Sequence, residues 1–186
     1  SKNTTSMTLQ DVEDLLALPT VRLVVPRQRK PMKIINKKEF TSTRVYGVSP
    51  DWKIARGWQL VDGVFLSDTD MDRKKKVVVL GSTPARKIFK NEDPIGKMVR
   101  LQNSYYKVIG LLQEKGLTES GYDPDDRALI PLTTSIARLT REKHLHSIKV
   151  VTWDASQVPE TMEFVTQILR RNHNLSVFSE DDFRFV

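Results

Sequence analysis

The chain has 186 residues, 39% hydrophobic and 28% charged, with 8 Gly and 9 Pro; a chain of that length buries roughly 70% of its unfolded surface, which supports a real core and excludes disorder and low complexity. Lys and Arg number 30 against 23 Asp and Glu, a net charge of +7. That balance suits contact with phosphates, anionic lipid or an acidic protein surface but is silent on fold, while the absence of Cys excludes disulfides, thiolate metal sites and a cysteine nucleophile.

Ser1 to Ser6 has neither the cationic nor the apolar region of a signal peptide, and with no initiator Met the expectation is an excised fragment. The first strong element is Thr8 to Leu18, where Leu9, Val12, Leu15 and Leu16 recur at helical spacing behind a Thr8 cap with Asp11 three residues on. Pro19 stops the helix, and Val21 to Val25 reads as a short buried strand. From about Ser49 to Lys143 the chain carries short strands (Lys76 to Leu80, Val99 to Gln102, Tyr105 to Leu111) and two brief helices, one opened by Thr83 with Pro84 as first helical residue, the other by Thr134. The densest apolar stretches, Val77 to Leu80 and Val108 to Leu112, are strand-sized, far short of the ~18 apolar residues of a membrane-crossing helix.

Toward the end, His146 to Trp153 is rich in β-branched residues. Ser156 to Arg171 then puts Val158, Met162, Val165, Ile168 and Leu169 on one helical stripe, with Pro159 tolerated in the first turn and Arg170, Arg171 and His173 where cations favour a helix C-terminus. Leu175 to Phe178 is expected to resume as a strand. The two ends thus read as related halves of one α+β layer, with a further strand expected before Thr8, either trimmed or weakly formed. The predicted fold class is α+β: residues 1–48 and 144–186 form one discontinuous subdomain, and 49–143 an inserted, β-rich one. Two chain crossings join such a pair, so it can pass on a rotation or bend without swivelling freely.

No catalytic set emerges. Pro94-Ile95-Gly96-Lys97 is not a phosphate loop, because it lacks an earlier Gly, a preceding strand and the Ser or Thr after Lys; Met98 stands there. His144 and His146 share a strand-like face but lack a third ligand, and the helix dipole accounts for His173. Asp123, Asp125 and Asp126, with Glu119 nearby, could do paired-acid chemistry or bind calcium weakly; without the EF-hand pattern, an exposed turn is the preferred reading. Ser82 after Gly81 lacks the nucleophile elbow. Arg22, Arg27, Arg29, Lys30, Lys33, Lys37 and Lys38 form a strip without an acid, which could track a nucleic-acid backbone, but no aromatic residue lies between Arg22 and Lys38 for bases to stack on. Edge strands protected by cations are preferred.

Several blocks together resemble the periplasmic core domain of MacB-type ABC transporter permeases, within the MacB/FtsX-like group. They are TLQDVEDLLALPTVRLVVP at Thr8 to Pro26, VYGVSPDWKIARGW at Val45 to Trp58, VVVLGSTPARKIF at Val77 to Phe89, EDPIGKMVRL at Glu92 to Leu101, YKVIGLL at Tyr106 to Leu112 and DDRALIPLTT at Asp125 to Thr134. The basic stretch Arg27 to Lys38 and the run Arg73 to Lys76 are not hallmarks of that family. The resemblance implies a porter-like α+β part with an inserted β-rich part, on the periplasmic or extracellular face of a bacterial inner membrane, anchored by flanking transmembrane helices. It implies a domain that performs no catalysis and holds no cofactor or metal, transmitting ATP-driven motion from a cytoplasmic ATP-binding cassette to export or efflux. The implied partners are a second permease copy in a homodimer and, in some members, a periplasmic adaptor and outer-membrane channel, with no nucleic acid. A lipoprotein-release or cell-division-type permease domain, binding cargo or activating a cell-wall hydrolase, is the alternative.

Overall fold

In a computed structural model that describes residues 7–186, the elements in chain order are α1 (Leu9–Leu16), β1 (Val21–Asn36), β2 (Glu39–Val48), α2 (Trp52–Arg56), β3 (Leu60–Gly63), α3 (Asp68–Asp72) and β4 (Val77–Leu80). They continue as α4 (Ser82–Phe89), β5 (Met98–Leu101), β6 (Ser104–Leu112), β7 (Arg127–Pro131), α5 (Leu132–Thr134), β8 (Ser147–Thr152) and α6 (Val158–Asn172). The fold is α+β. The strand expected before Thr8 lies outside the described residues.

The chain divides into a discontinuous unit, residues 1–27 with 142–186, and an inserted unit, residues 28–141. The crossing falls inside β1, not at 48 and 49, because β2 belongs to the inserted unit through its ladders to β1 and β7.

In the inserted unit the strands pair around a ring. β1 pairs β2, β2 runs parallel to β7, β7 antiparallel to β4, β4 parallel to β6, β6 antiparallel to β5, and β5 antiparallel to β1. Only β3 stands off this path, on β6. Closure removes free edges, and the inward residues, among them Ile34, Val78, Leu80, Val99, Val108 and Ile130, are fully buried. Period-two burial along β6 shows the pleat: Tyr106, Val108 and Gly110 face in, Tyr105 and Lys107 out.

The helices of this unit begin differently from expectation. α4 starts at Ser82 behind Gly81, leaving Pro84 in the first turn, and the Thr83 hydroxyl donates to Asp123 Oδ2 at 2.6 Å instead of capping. Thr134 likewise does not cap; α5 begins at Leu132 after Pro131 and continues as a π-helical turn, Ser135–Leu139, and the Thr134 hydroxyl donates to the Lys75 carbonyl at 2.8 Å. In both cases the hydroxyl donates to a tertiary acceptor instead of accepting from a local helix amide.

In the discontinuous unit, α1 is capped as expected, Thr8 and Asp11 exchanging backbone-to-side-chain bonds. β1 is longer than Val21 to Val25; its 21–27 half pairs antiparallel with β8, running through Pro26 opposite Ile148. Pro lacks an N–H and is confined to strands with one free side, and β8 is the described partner here. In α6, Val165 and Leu169 are buried with Leu15, Val21, Val24 and Phe183, whereas Val158 and Met162 of the expected stripe are exposed. Thr161 takes the buried position instead, its hydroxyl 2.6 Å from that of Thr20. The strand expected at Leu175 to Phe178 is absent: the segment turns back, the Ser179 amide donating to the Ser176 carbonyl at 3.0 Å, and Val177 and Phe178 point into solvent.

Candidate functional site

The acidic loop is built to hold backbone. Asp125 is 2% exposed and accepts from the amides of Lys115 and Gly116, each at 2.8 Å. Asp123 accepts from the Asp125 amide at 2.9 Å as well as from Thr83, and Asp126 accepts from the Thr43 hydroxyl at 2.7 Å. Charged acceptors make short, strong bonds to N–H and O–H donors, so the three carboxylates brace loop 113–126 against β2 and α4. Gly81 lies beneath them: a Cβ there would meet the Asp125 carbonyl oxygen at 2.2 Å, so the next residue, Ser82, opens α4 in a crowded junction. Glu119 is exposed on the same loop.

The histidines all belong to the other unit. His144 and His146 flank buried Leu145, as period two requires, and His146 Nε2 lies 3.5 Å from Glu142. Among the described residues no three His, Asp or Glu side chains are grouped to hold a metal ion. His173 does more than complement a dipole: its ring bridges Asp11 and Asp182 at 2.7 and 2.8 Å.

Sequence reasoning missed a cation and aromatic wall on the inserted unit. The parallel register sets Arg44 opposite Arg127 and Tyr46 opposite Leu129, joining two blocks some eighty residues apart in sequence. The Arg127 guanidinium lies 4.8 Å from the Trp58 ring centroid, 5.0 Å from Tyr46 and 5.8 Å from Trp52, and its Nε donates to the Pro124 carbonyl at 2.5 Å. Burial pulls its pKa below the ordinary arginine value. Lys115 covers Trp58 at 4.1 Å, and Trp52 stacks on Trp58 and Phe65. Arg127 is buried among its rings, where a cation over a ring is worth about 2 kcal/mol, whereas Lys115 is exposed and its contact with Trp58 is worth about 0.5–1 kcal/mol. The signal in the sequence was a pair of Trp six residues apart around Lys and Arg.

The basic strip also acquires aromatics from elsewhere: Arg22 sits 5.8 Å from Trp153 in one unit, and Arg29 and Lys33 sit 6.0 and 4.6 Å from Tyr46 and Phe40 in the other. These ring faces are occupied by the chain's own cations. Beyond the turn at Lys37, which has a φ of 54°, Lys37, Lys97 and Arg100 rim an open recess of about 530 Å³ with Ile35, Met98 and Tyr105 on its wall. Lys97 leans toward Glu92 at 3.4 Å across the rim. This outer face of the inserted unit is the candidate contact site, with three cations and one acid, Glu92, among its lining residues.

The MacB-like periplasmic core domain family model matches residues 1–168. The macrolide export ATP-binding/permease protein MacB of Azoarcus sp. (strain BH72) is 32% identical over 177 residues, 95% of this chain and 27% of that protein. The pyoverdine export ATP-binding/permease protein PvdT of Pseudomonas savastanoi pv. phaseolicola is 30% identical over 169 residues, 90% of this chain and 26% of that one. The chain thus spans about a quarter of the length of these relatives. Among solved structures, the extracellular domain of the ABC-type transporter YknZ from Gram-positive bacteria superposes with a TM-score of 0.83 at 21% identity, covering 94% of this chain and 87% of that one. The periplasmic region of MacB from Actinobacillus actinomycetemcomitans gives 0.81 at 24%, covering 91% and 76%; at these identities the likeness is one of fold.

Proposed function

The chain belongs to the MacB-like periplasmic core domain family, and on that premise we propose that it is the force-transmitting extracytoplasmic domain of an ABC permease, coupling ATP-driven motion to export or efflux. The observation that carries this reading is the closed ring of the inserted unit, a stiff body reached by two chain crossings, one at residues 27 and 28 and one at 141 and 142. A domain passing on displacement needs a close-packed body that moves as one piece, and it needs no nucleophile. The acids best placed for catalysis are engaged in bracing the loop, Asp125 through backbone amides and Asp123 and Asp126 through threonine hydroxyls, which supports a non-enzymatic role.

The partners in this reading are a second copy of the permease, an ATP-binding cassette on the cytoplasmic side, and a periplasmic adaptor with an outer-membrane channel where the cell has them. Its location is the outer face of the inner membrane, held by flanking spans; no helix among the described residues is long and apolar enough to cross a membrane. The cation-rimmed recess beside Tyr105 suits an acidic protein surface better than the apolar groove that lipid-linked cargo would require.

The test uses the parent protein in vesicles. Its reading frame should encode apolar spans of about 20 residues on both sides of this chain, and Lys37→Glu with Arg100→Glu should cut export at least fivefold while ATP turnover persists. Unchanged export, or a frame without spans, overturns the proposal.

A further inference from the structure

Residues of the turn between β5 and β6 and of the π-helical turn after α5 line a small recess of about 130 Å³, an order of magnitude above the roughly 10–15 Å³ that one water requires. Gln102 joins the two turns, its Nε2 donating to the Leu139 carbonyl at 3.4 Å. Tyr106, wholly buried, is among the innermost lining residues, and Asn103, Ser104, Arg138 and Arg141 line the recess nearer to solvent.

Three features set this recess apart from a gap in packing. The Tyr106 hydroxyl is buried and has no hydrogen-bond partner among the described residues, although a stranded hydroxyl costs about 1–3 kcal/mol and a phenylalanine of the same shape avoids that cost. Burial pushes the phenol's pKa above its ordinary value against the pull of Arg138, so at neutral pH the oxygen keeps its proton and can donate. Arg138 and Arg141 make no ion pair among the described residues and no acid lines the recess, whereas Arg86 and Lys90 of the same unit pair with Glu114 and Glu39. Gln102 and Arg141 hold φ of 54° and 55°, left-handed backbone in which glycine is unstrained, yet each keeps a long polar side chain at the recess. Backbone strain of this sort gathers where ligands are gripped, and π-helical turns are frequent at functional sites.

Donors thus converge on one place: two guanidiniums, a phenol that retains its proton, the Ser104 hydroxyl and the Asn103 amide. Their complement is an acceptor that carries negative charge. We propose that the recess is a binding site for one small oxyanion, a phosphate or carboxylate group, gripped by Arg138 and Arg141 and reached by the Tyr106 hydroxyl. A guanidinium matches either group with paired N–H donors. Water alone would satisfy the phenol; two arginines without an acid select a charged occupant. The recess shares no lining residue with the one rimmed by Lys37, Lys97 and Arg100, and the inference is independent of what the parent protein transports or contacts.

The experiment titrates inorganic phosphate, and separately acetate, into this 186-residue chain at neutral pH, with ionic strength held constant by chloride. The Asn103 and Ser104 amide shifts are followed by NMR in the native chain, in Tyr106→Phe and in Arg138→Gln combined with Arg141→Gln. At least one of the two ions should shift both amides saturably and raise the thermal midpoint, and the tighter of the two identifies the ligand's charged group. The double arginine variant should abolish the saturable shift. Tyr106→Phe should weaken binding about tenfold, the worth of one hydrogen bond to a charged group. Failure of both ions to shift the amides saturably, binding that persists in the double arginine variant, or binding unchanged in Tyr106→Phe overturns the site.

Discussion

The two units hold themselves together by different means. The inserted unit closes its strands into a ring around 14 buried core residues, most of them without any exposed surface, and its polar ties are fixed charges and amides such as Asp125 on the Lys115 and Gly116 N–H groups. Among the described residues the discontinuous unit has a buried cluster of six, every residue of β8 is only half-buried, α6 is tied to the turn before β1 by Thr161 and Thr20, and α1 to the end of α6 by the Asp11, Asn172 and His173 cluster. Close packing makes the first stiff and indifferent to solvent conditions. The second depends on polar groups, one of which, His173, has a pKa that burial lowers but its bonds to Asp11 and Asp182 raise above the ordinary imidazole value, and is the more adjustable of the two.

The contrast can be broken at its strongest point first. Leu80 is wholly buried in the ring, and Leu80→Ala should cost about 3 kcal/mol in urea denaturation through lost transfer energy plus a cavity; a cost under about 1 kcal/mol would mean the ring is not the rigid body described. Asp125→Ala strands two amides that have no other partner in the loop, and the loss should be about 2 kcal/mol, seen in the same titration and accompanied by faster exchange of the Lys115 and Gly116 amides.

A smaller effect distinguishes the other unit. His173 has a folded pKa raised above its unfolded value, so its contribution to stability is fully present below about pH 6.5 and is lost as pH rises through the folded value. Thermal midpoints should therefore fall across that window in the native chain and stay flat in His173→Gln. A native chain whose midpoint is constant from pH 6 to 9 would remove the distinction between the units.

Local chemistry was legible before the structure. The Thr8 and Asp11 capping box, the stop at Pro19, Pro159 in the first turn of α6 and the short strands around Val77, Val99 and Val108 all follow from rules that span a few residues. Sequence reasoning failed where a residue had a local role and a distant partner to choose between. Thr83 and Thr134 were read as caps and instead bond Asp123 and Lys75. His173 was read as a dipole complement and instead joins acids 162 and 9 residues away in the chain. Leu175 to Phe178 had a strand's composition but, among the described residues, no strand pairs with it.

By itself the sequence determined the first and last helices with the Thr8 cap of the first, the α+β class and, through collinear blocks, the family, because these depend on neighbours in the chain or on order along it. Tertiary structure alone decided that β2 and β7 pair in parallel to close the ring, that Arg127 lies among three aromatic rings, and that one histidine holds two acids. Such contacts join residues far apart in the chain and leave no periodic trace, and their geometry exists only once the strands and helices have packed.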